Sequence, residues 1–199
     1  RILSQEDQLR LLETLRPEDG PVQLGILLCM YTGMRLGEAC GLRWSDIDWR
    51  QRALHIRRNV VKLSGQPILV KEPKTRAGVR VVYLSKKLCK LLRVWQKESA
   101  WEKEQRGGGG LEEEDYLFRQ PGGDPMVPGT FTFRFKKILR EGNLPDNLNV
   151  HSLRHTNASM LIAQGVDVRT VAGLLGHAQP STTLDIYSHA FDKNKKLAQ

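Results

Sequence analysis

Apolar residues recur with helical spacing over most of the chain. The segment LSQEDQLRLLETL (3–15) is amphipathic, and Ser4 can cap it because a serine oxygen accepts a backbone N–H of the first helical turn. The segment PVQLGILLCMYTG (21–33) is apolar nearly all round, which predicts a buried helix. After a break at Gly33, helical spacing resumes in MRLGEACGLRW (34–44).

From residue 53 the period shortens toward the alternation of β-strands. The runs ALHIRRNVVKL (53–63), QPILVKE (66–72) and VRVVYL (79–84) are rich in β-branched residues, and turn-forming sequences separate them. We therefore predict one small antiparallel sheet of three strands.

Helical spacing returns in later segments, which are 85–105, 129–142, 149–165, 167–176 and 181–190. Between the first two of these, the run GGGG (107–110) and the acidic residues after it predict a flexible connection. No Gly-Lys-Ser/Thr ends this run, so it is not interpreted as a phosphate-binding loop. The outline is an α+β fold, in which a mainly helical domain carries one small sheet.

The charge balance indicates that this helical domain has a polyanionic partner. The 199 residues include 31 Lys and Arg against 22 Asp and Glu, for a net charge of +9. Such a surplus favours nucleic acid or an anionic membrane surface, and the alternative is a basic but ordinary solvated surface.

Composition also bears on location and covalent chemistry. No apolar run reaches the roughly 20 residues of a membrane span, and the first residues lack a secretory signal, so a cytoplasmic protein is expected. The chain does not begin with Met, which suggests a fragment or a processed product. The three cysteines are an odd number and widely spaced, as in reduced buried thiols, and they form no metal motif.

Several polar residues on the predicted helices lie where packing alone does not require them. Arg35 either pairs with Glu38 on the surface or serves a site. His151 and Arg154 share a helix face. His151 and His155 have the spacing of a helical zinc pair, but the accompanying glutamate and a third ligand are lacking, so no metal is expected.

Three further candidates lie on predicted turns and on the last helix. Lys74 is either a solvated hairpin residue or a proton donor, and His177 either caps a helix end or faces a ligand. Tyr187 is either an anchor for the last helix or a nucleophile. Arginines, histidines, a lysine and a tyrosine together suit a reaction at a phosphodiester. No cluster of Asp and Glu supplies the ligands of a two-metal nuclease.

These residues stand in the order of the catalytic domain of tyrosine recombinases, the phage integrase family, which the whole chain (1–199) resembles. TGMRLGEACGLRW resembles the segment with the first catalytic arginine, which is Arg35 here. PKTRAGVRVVYL resembles the hairpin with the catalytic lysine, Lys74, and HSLRHT resembles the His-x-x-Arg box, His151 and Arg154.

The resemblance continues to the C-terminus and implies a cofactor-free reaction. LLGHA is similar to the Leu-Gly-His box (His177), and TTLDIYSH is similar to the nucleophile segment (Tyr187). Tyr187 would form a 3′-phosphotyrosyl bond, and Lys74 would protonate the leaving 5′-oxygen. A 5′-hydroxyl of a partner strand would then restore the DNA, so the resemblance implies site-specific recombination of a mobile element.

The resemblance also implies supporting residues and partners. Arg35 and Arg154 would hold the phosphate, His151 would assist proton transfer, His177 would hydrogen-bond the phosphate, and Glu38 would orient an arginine. The expected partner is double-stranded DNA, with a homotetramer on DNA, a monomer for this chain alone, and possible accessory DNA-bending or directionality proteins.

Some alternatives remain open at this stage. The family's N-terminal core-binding and arm-binding domains are not recognised in this sequence, and Lys71 competes with Lys74 as the catalytic lysine. A type IB topoisomerase uses the same tyrosine chemistry but usually has lysine where His151 stands. A DNA-binding regulator without catalysis, or a basic helical interaction domain, would not need Tyr187.

Overall fold

The computed structural model describes residues 3–16, 19–72 and 79–176, which form seven α-helices, a short 3-10 helix (Trp44–Asp46) and five strands. The helices are α1 (Gln5–Thr14), α2 (Pro21–Thr32), α3 (Leu36–Cys40), α4 (Lys86–Gln105), α5 (Pro128–Glu141), α6 (Val150–Ala163) and α7 (Val168–Leu175). The strands are β1 (Ile47–Asp48), β2 (Ala53–Ile56), β3 (Asn59–Lys62), β4 (Ile68–Lys71) and β5 (Arg80–Tyr83). The predicted α+β fold is confirmed; the helix predicted at 181–190 lies outside the described residues.

Helix α2 forms the centre of the domain, and α3, α4, α5 and α6 all pack on it. Residues 23–30 are buried, as the uniformly apolar pattern predicts. Gly25 lets α5 approach closely, because a Cβ at this position would lie 2.4 Å from Cε1 of Phe131. At the end of α2, a Cβ on Gly33 would lie 2.4 Å from Cδ2 of Leu175 in α7 and 2.8 Å from Oδ1 of Asn157 in α6, so these three helices are in contact there.

The predicted small antiparallel sheet is confirmed, but its strands are grouped differently. Three strands pair in the order β1-β2-β5, and β3 with β4 forms a separate antiparallel hairpin. The run 53–63, predicted as one strand, is interrupted at Arg57 and Arg58. Their side chains reach the buried carboxylate of Asp46 at 3.6 and 2.9 Å. Strand β1 escaped prediction because two residues carry no measurable period.

Helix ends follow the capping signals in the sequence. The Ser4 side chain accepts the backbone N–H of Asp7, and Asn149 Oδ1 accepts that of Ser152 at 2.9 Å. The acidic segment after the glycine run, predicted to be flexible, is instead held against α4 by Lys103, whose Nζ lies 2.8 Å from Asp115 Oδ2. A lysine on the preceding helix thus anchors a segment whose composition suggested a linker.

The structure bears on two expectations drawn from composition, which concern the cysteines and membrane-spanning helices. Cys29 and Cys40 are buried free thiols, and burial raises the pKa of Cys40 to about 12; Cys89 is only partly buried. Among the described residues, none of the helices combines the length and apolar character that crossing a membrane requires.

Candidate active site

Four of the seven predicted site residues fall in the described part of the chain, and the structure brings these four together. Arg35 precedes α3, Glu38 lies within α3, and His151 and Arg154 lie in the first turns of α6. The described residues do not include the other three, Lys74, His177 and Tyr187. A cavity of about 210 Å³ is lined by Met34, Arg35, Leu36, Thr132, Asn149, Val150, His151 and Arg154.

Arg154 forms the floor of this cavity and is only 2% exposed. Its Nη1 donates to the carbonyl of Gly33 and its Nη2 to the carbonyl of Leu175, both at 2.6 Å. No carboxylate pairs with it anywhere in the described ranges. Burial, and then the positive charge of Arg35, lower the pKa of Arg154 to about 10. The guanidinium remains charged at neutral pH, so the site holds a desolvated cation that an anion would stabilise.

Arg35 lies at the mouth of the cavity, with 45% of its side chain exposed. Gly33 ends α2 in the left-handed conformation (φ 65°), and this turn delivers Arg35 to the start of α3. Nη1 of Arg35 donates to Glu38 Oε1 at 3.0 Å, and its backbone N–H donates to Glu38 Oε2 at 2.6 Å. Arg35 thus pairs with Glu38 and also lines the cavity.

Glu38 is buried, and its strongest partner is Arg80, which sequence reasoning missed. Nη1 and Nη2 of Arg80 donate to the two carboxylate oxygens at 2.9 and 2.8 Å. Burial alone would raise the pKa of Glu38, but the hydrogen bonds and charge of Arg80, followed by those of Arg35, lower it below its ordinary value. Glu38 therefore stays ionised between two arginines.

A signal for Arg80 was present in the strand pattern. In VRVVYL, position 80 shares one face of the strand with Val82 and Leu84, and both of these are buried. A buried arginine needs a partner, because an isolated charge in a protein interior is costly. An arginine on the apolar face of a strand therefore indicated a buried carboxylate elsewhere in the chain.

His151 lies at the edge of the cavity and contacts the ring of His155 edge-to-face, with ring centroids 4.6 Å apart. Partial burial, and then the charges of Arg154 and Arg35, lower the pKa of His151. Burial and then the charge of His151 lower the pKa of His155. Both imidazoles are therefore predominantly neutral at pH 7, and His151 can accept a proton.

This pair predicts how stability depends on pH. Because the folded pKa of each ring lies below the ordinary 6.5, the unfolded chain binds protons first as pH falls. We expect the free energy of unfolding to decrease below about pH 6.5, by less than about 1 kcal/mol because both rings remain partly solvated. Urea titrations at several pH values should show this decrease. The decrease should be smaller in the double variant His151→Gln/His155→Gln. If the free energy of unfolding depends on pH as steeply in this variant as in the unsubstituted protein, the two histidines are not its cause.

A second cavity, of about 310 Å³, adjoins the other side of Arg35. Its lining consists of Arg35, Glu38, Ile56, Arg58, Asn59, Lys71 and Glu72. Lys71, the competing lysine, is the last residue of β4 and lines this cavity together with Arg35. Within the described residues, no group of three or more His, Cys, Asp or Glu side chains is arranged to hold a metal ion.

The fold and this site define a basic α+β domain in which two arginines line one cavity. Residues 1–194 match the sequence profile of the phage integrase family, and the chain belongs to that family. The resemblance proposed from the sequence is therefore confirmed. Neither a type IB topoisomerase nor a regulator without catalysis is favoured.

Known relatives agree with this family. The chain is 31% identical over 182 residues to the XerC-like tyrosine recombinase of Caldanaerobacter subterraneus. This alignment covers 86% of this chain and 46% of the relative. It is 34% identical over 168 residues to the ICEBs1 integrase of Bacillus subtilis, covering 84% of this chain and 45% of the relative. The chain thus spans about half the length of these relatives.

Solved structures share the fold. The Tn1549 transposon integrase in complex with transposon right end DNA superposes with a TM-score of 0.76 at 21% identity, covering 100% of this chain and 66% of that one. The XerA recombinase superposes with a TM-score of 0.71 at 24% identity, covering 100% and 65%. At these identities the likeness establishes the architecture of the domain.

Proposed function

We propose that this chain is the catalytic domain of a site-specific DNA recombinase that integrates or excises a mobile element. The observation that carries the proposal is the convergence of Arg35 and Arg154 on one cavity, where Arg154 has no carboxylate partner among the described residues. A phosphodiester supplies the missing negative charge, and its two non-bridging oxygens suit planar guanidinium donors. Membership of the phage integrase family supports this reading.

The proposed reaction begins with the phosphate in the cavity. Each Nη of Arg154 carries two N–H groups, so one on each remains for a phosphate oxygen after the carbonyls of Gly33 and Leu175 are bound. Arg35 donates from the exposed side, and its contact with Glu38 fixes its plane. The two arginines thereby stabilise the charge that develops at phosphorus.

The chemical steps are proposed from the family resemblance. The Tyr187 oxygen attacks phosphorus, the bond to the 5′-oxygen breaks, and a 3′-phosphotyrosyl bond forms. Neutral His151 assists removal of the tyrosine proton, while Lys74, or alternatively Lys71, protonates the 5′-oxygen. A 5′-hydroxyl of a partner strand then attacks the phosphotyrosine and releases Tyr187. Each step exchanges one phosphoester bond for another, so the proposed reaction needs no cofactor.

The remaining parts of the proposal concern His177 and the assembly. His177 donates a hydrogen bond to the phosphate. The net charge of +9 suits double-stranded DNA. We further propose a homotetramer on DNA, a monomer for this chain alone, possible accessory DNA-bending or directionality proteins, and a cytoplasmic location beside the DNA. The chain spans about half the length of these relatives, so the experiments below use the full gene product.

Trapping of the covalent intermediate tests this function. Nicked duplexes tiling the DNA around the gene are incubated with the full gene product, so that cleavage releases a short fragment and leaves the adduct unable to religate. We expect one duplex to give a protein–DNA adduct that survives denaturation. Tyr187→Phe should abolish it, because phenylalanine has no nucleophilic oxygen.

The control variant is Tyr83→Phe, which removes the hydroxyl of an exposed tyrosine on β5 and should leave the adduct unchanged. An adduct that persists in Tyr187→Phe would assign the nucleophile elsewhere. If no duplex gives an adduct although the protein binds DNA, the proposed function is wrong.

A further inference from the structure

We propose that Arg80 is a positioning residue for cleavage, which sets the geometry of both phosphate-binding arginines without touching DNA. The inference rests on the proposed function and concerns a residue outside the set implied by the family resemblance. Arg80 is 8% exposed, and it lines neither of the two cavities described above. Any effect on the reaction must therefore pass through the groups that it holds.

The first group is the carboxylate of Glu38. Two N–H groups of Arg80 occupy the two oxygens of this carboxylate, at 2.9 and 2.8 Å, while Arg35 donates one side-chain N–H to the same carboxylate at 3.0 Å. Without Arg80, each carboxylate oxygen would regain a lone pair, although Oε2 would still accept the backbone N–H of Arg35. The Arg35 side chain could then form the bidentate pair that arginine and carboxylate favour. Arg80 thus limits the side-chain contact between Arg35 and Glu38 to Nη1. The N–H group of Nη2 that does not bind the carbonyl of Gly176 remains for phosphate.

The second group is the C-terminal end of α7. Three successive carbonyls there accept from three different arginines: Leu174 from Nε of Arg80 at 2.7 Å, Leu175 from Arg154 at 2.6 Å, and Gly176 from Arg35 at 3.4 Å. The last carbonyls of a helix lack partners within the helix and attract cations. Arg80 fixes this end of α7, and the end of α7 in turn holds the other two arginines.

Packing around Gly176 shows how tightly this end is held. Gly176 is left-handed (φ 67°), and a Cβ at this position would lie 3.0 Å from Nη1 of Arg80. Backbone and guanidinium are therefore in direct contact, with no room for a side chain between them. A change at Arg80 will shift the last turn of α7, and with it the carbonyl acceptors of Arg35 and Arg154.

Replacing Arg80 with lysine distinguishes the contribution of its positive charge from that of its hydrogen-bond geometry. Arg80→Lys keeps a cation beside Glu38, but one ammonium cannot reproduce the planar bidentate pair together with the bond to Leu174. We expect adduct formation at saturating DNA to slow about 10- to 100-fold, the scale of a small misplacement of catalytic groups. The dissociation constant for DNA should change less than about threefold, because Arg80 is buried away from the DNA-binding surface.

The matched control is Arg43→Lys. Arg43 also pairs with a carboxylate, that of Glu114, and lies over the ring of Tyr116, but it contacts neither α7 nor Glu38. Its replacement should leave the cleavage rate within about twofold of the unsubstituted protein. Urea titration of each variant gives the folded fraction, to which all rates are normalised. Arg80→Gln, which keeps a planar donor, is measured beside Arg80→Lys so that poor folding of one variant does not decide the outcome.

A double-substitution cycle then tests the route through Glu38. If Arg80 acts through this carboxylate, the defects of Arg80→Lys and Glu38→Gln will not multiply, and the double variant will cleave within about threefold of the slower single variant. Full multiplication of the two defects, an unchanged rate in Arg80→Lys, or a parallel loss of DNA affinity would each overturn the inference. Absence of any adduct from the unsubstituted protein would instead overturn the proposed function, and the inference with it.

Discussion

Replacing Arg154 with alanine is expected to slow formation of the covalent DNA adduct by at least ~100-fold, the scale of losing one preorganised donor at a developing charge. Arg154 is 2% exposed and is fixed by two short bonds to the carbonyls of Gly33 and Leu175. A donor held in this way needs no reorganisation when the phosphate reaches its transition state. Single-turnover cleavage of the trapped duplex by the full gene product measures the effect.

The Arg154→Ala variant should lose much more of its cleavage rate than of its affinity for DNA. Much of the affinity for DNA comes from many screened phosphate contacts, so the loss of one arginine should raise the dissociation constant by less than about tenfold. Arg169→Ala provides the control, because it removes the same charge from an exposed position on α7. We expect Arg169→Ala to weaken binding and to leave the rate at saturating DNA within about threefold. Equal losses of binding and rate in Arg154→Ala would indicate a merely electrostatic contribution.

The stability of the same variant should change little. Two opposing effects are involved: the loss of a desolvated cation is favourable, whereas the carbonyls of Gly33 and Leu175 lose their buried donor. Leaving each of these carbonyls without a donor costs about 1–3 kcal/mol of stability. The pKa of Arg154, lowered to about 10, shows that burial already disfavours the charged form. A lost cleavage rate in a protein that unfolds at a similar urea concentration would identify an arginine retained for function.

The sequence predicted the helices better than the strands, for a physical reason. The apolar pattern of α2 repeats over several turns, and the caps at Ser4 and Asn149 are local signals that the structure reproduces. The interruption of the run 53–63 coincides instead with ion pairs from Arg57 and Arg58 to Asp46, which lies outside the run. Periodicity within a segment cannot report a partner that only the fold supplies.

The same distinction applies to the candidate site. Arg35, His151 and Arg154 could be selected from spacing and from the family resemblance, and they line one cavity. Two properties of the site were not predictable: that Arg154 has backbone carbonyls as its partners, and that Glu38 is shared with Arg80. Both depend on where α7 and β5 lie relative to α3, which is a result of packing. The assignments of Lys74, His177 and Tyr187 remain predictions, since the described residues do not include them.

Arg35→Ala should lower the rate of adduct formation at least ~100-fold while leaving the fold nearly intact. Arg35 is 45% exposed, and Glu38 keeps its bidentate pair with Arg80 when Arg35 is lost. The free energy of unfolding should therefore change by less than about 1 kcal/mol. Arg35→Lys should recover little of the rate, because an ammonium lacks the planar fork that engages Glu38 and a phosphate oxygen together. Recovery to within about threefold by Arg35→Lys would contradict this geometry, because it would show that Arg35 supplies only a positive charge.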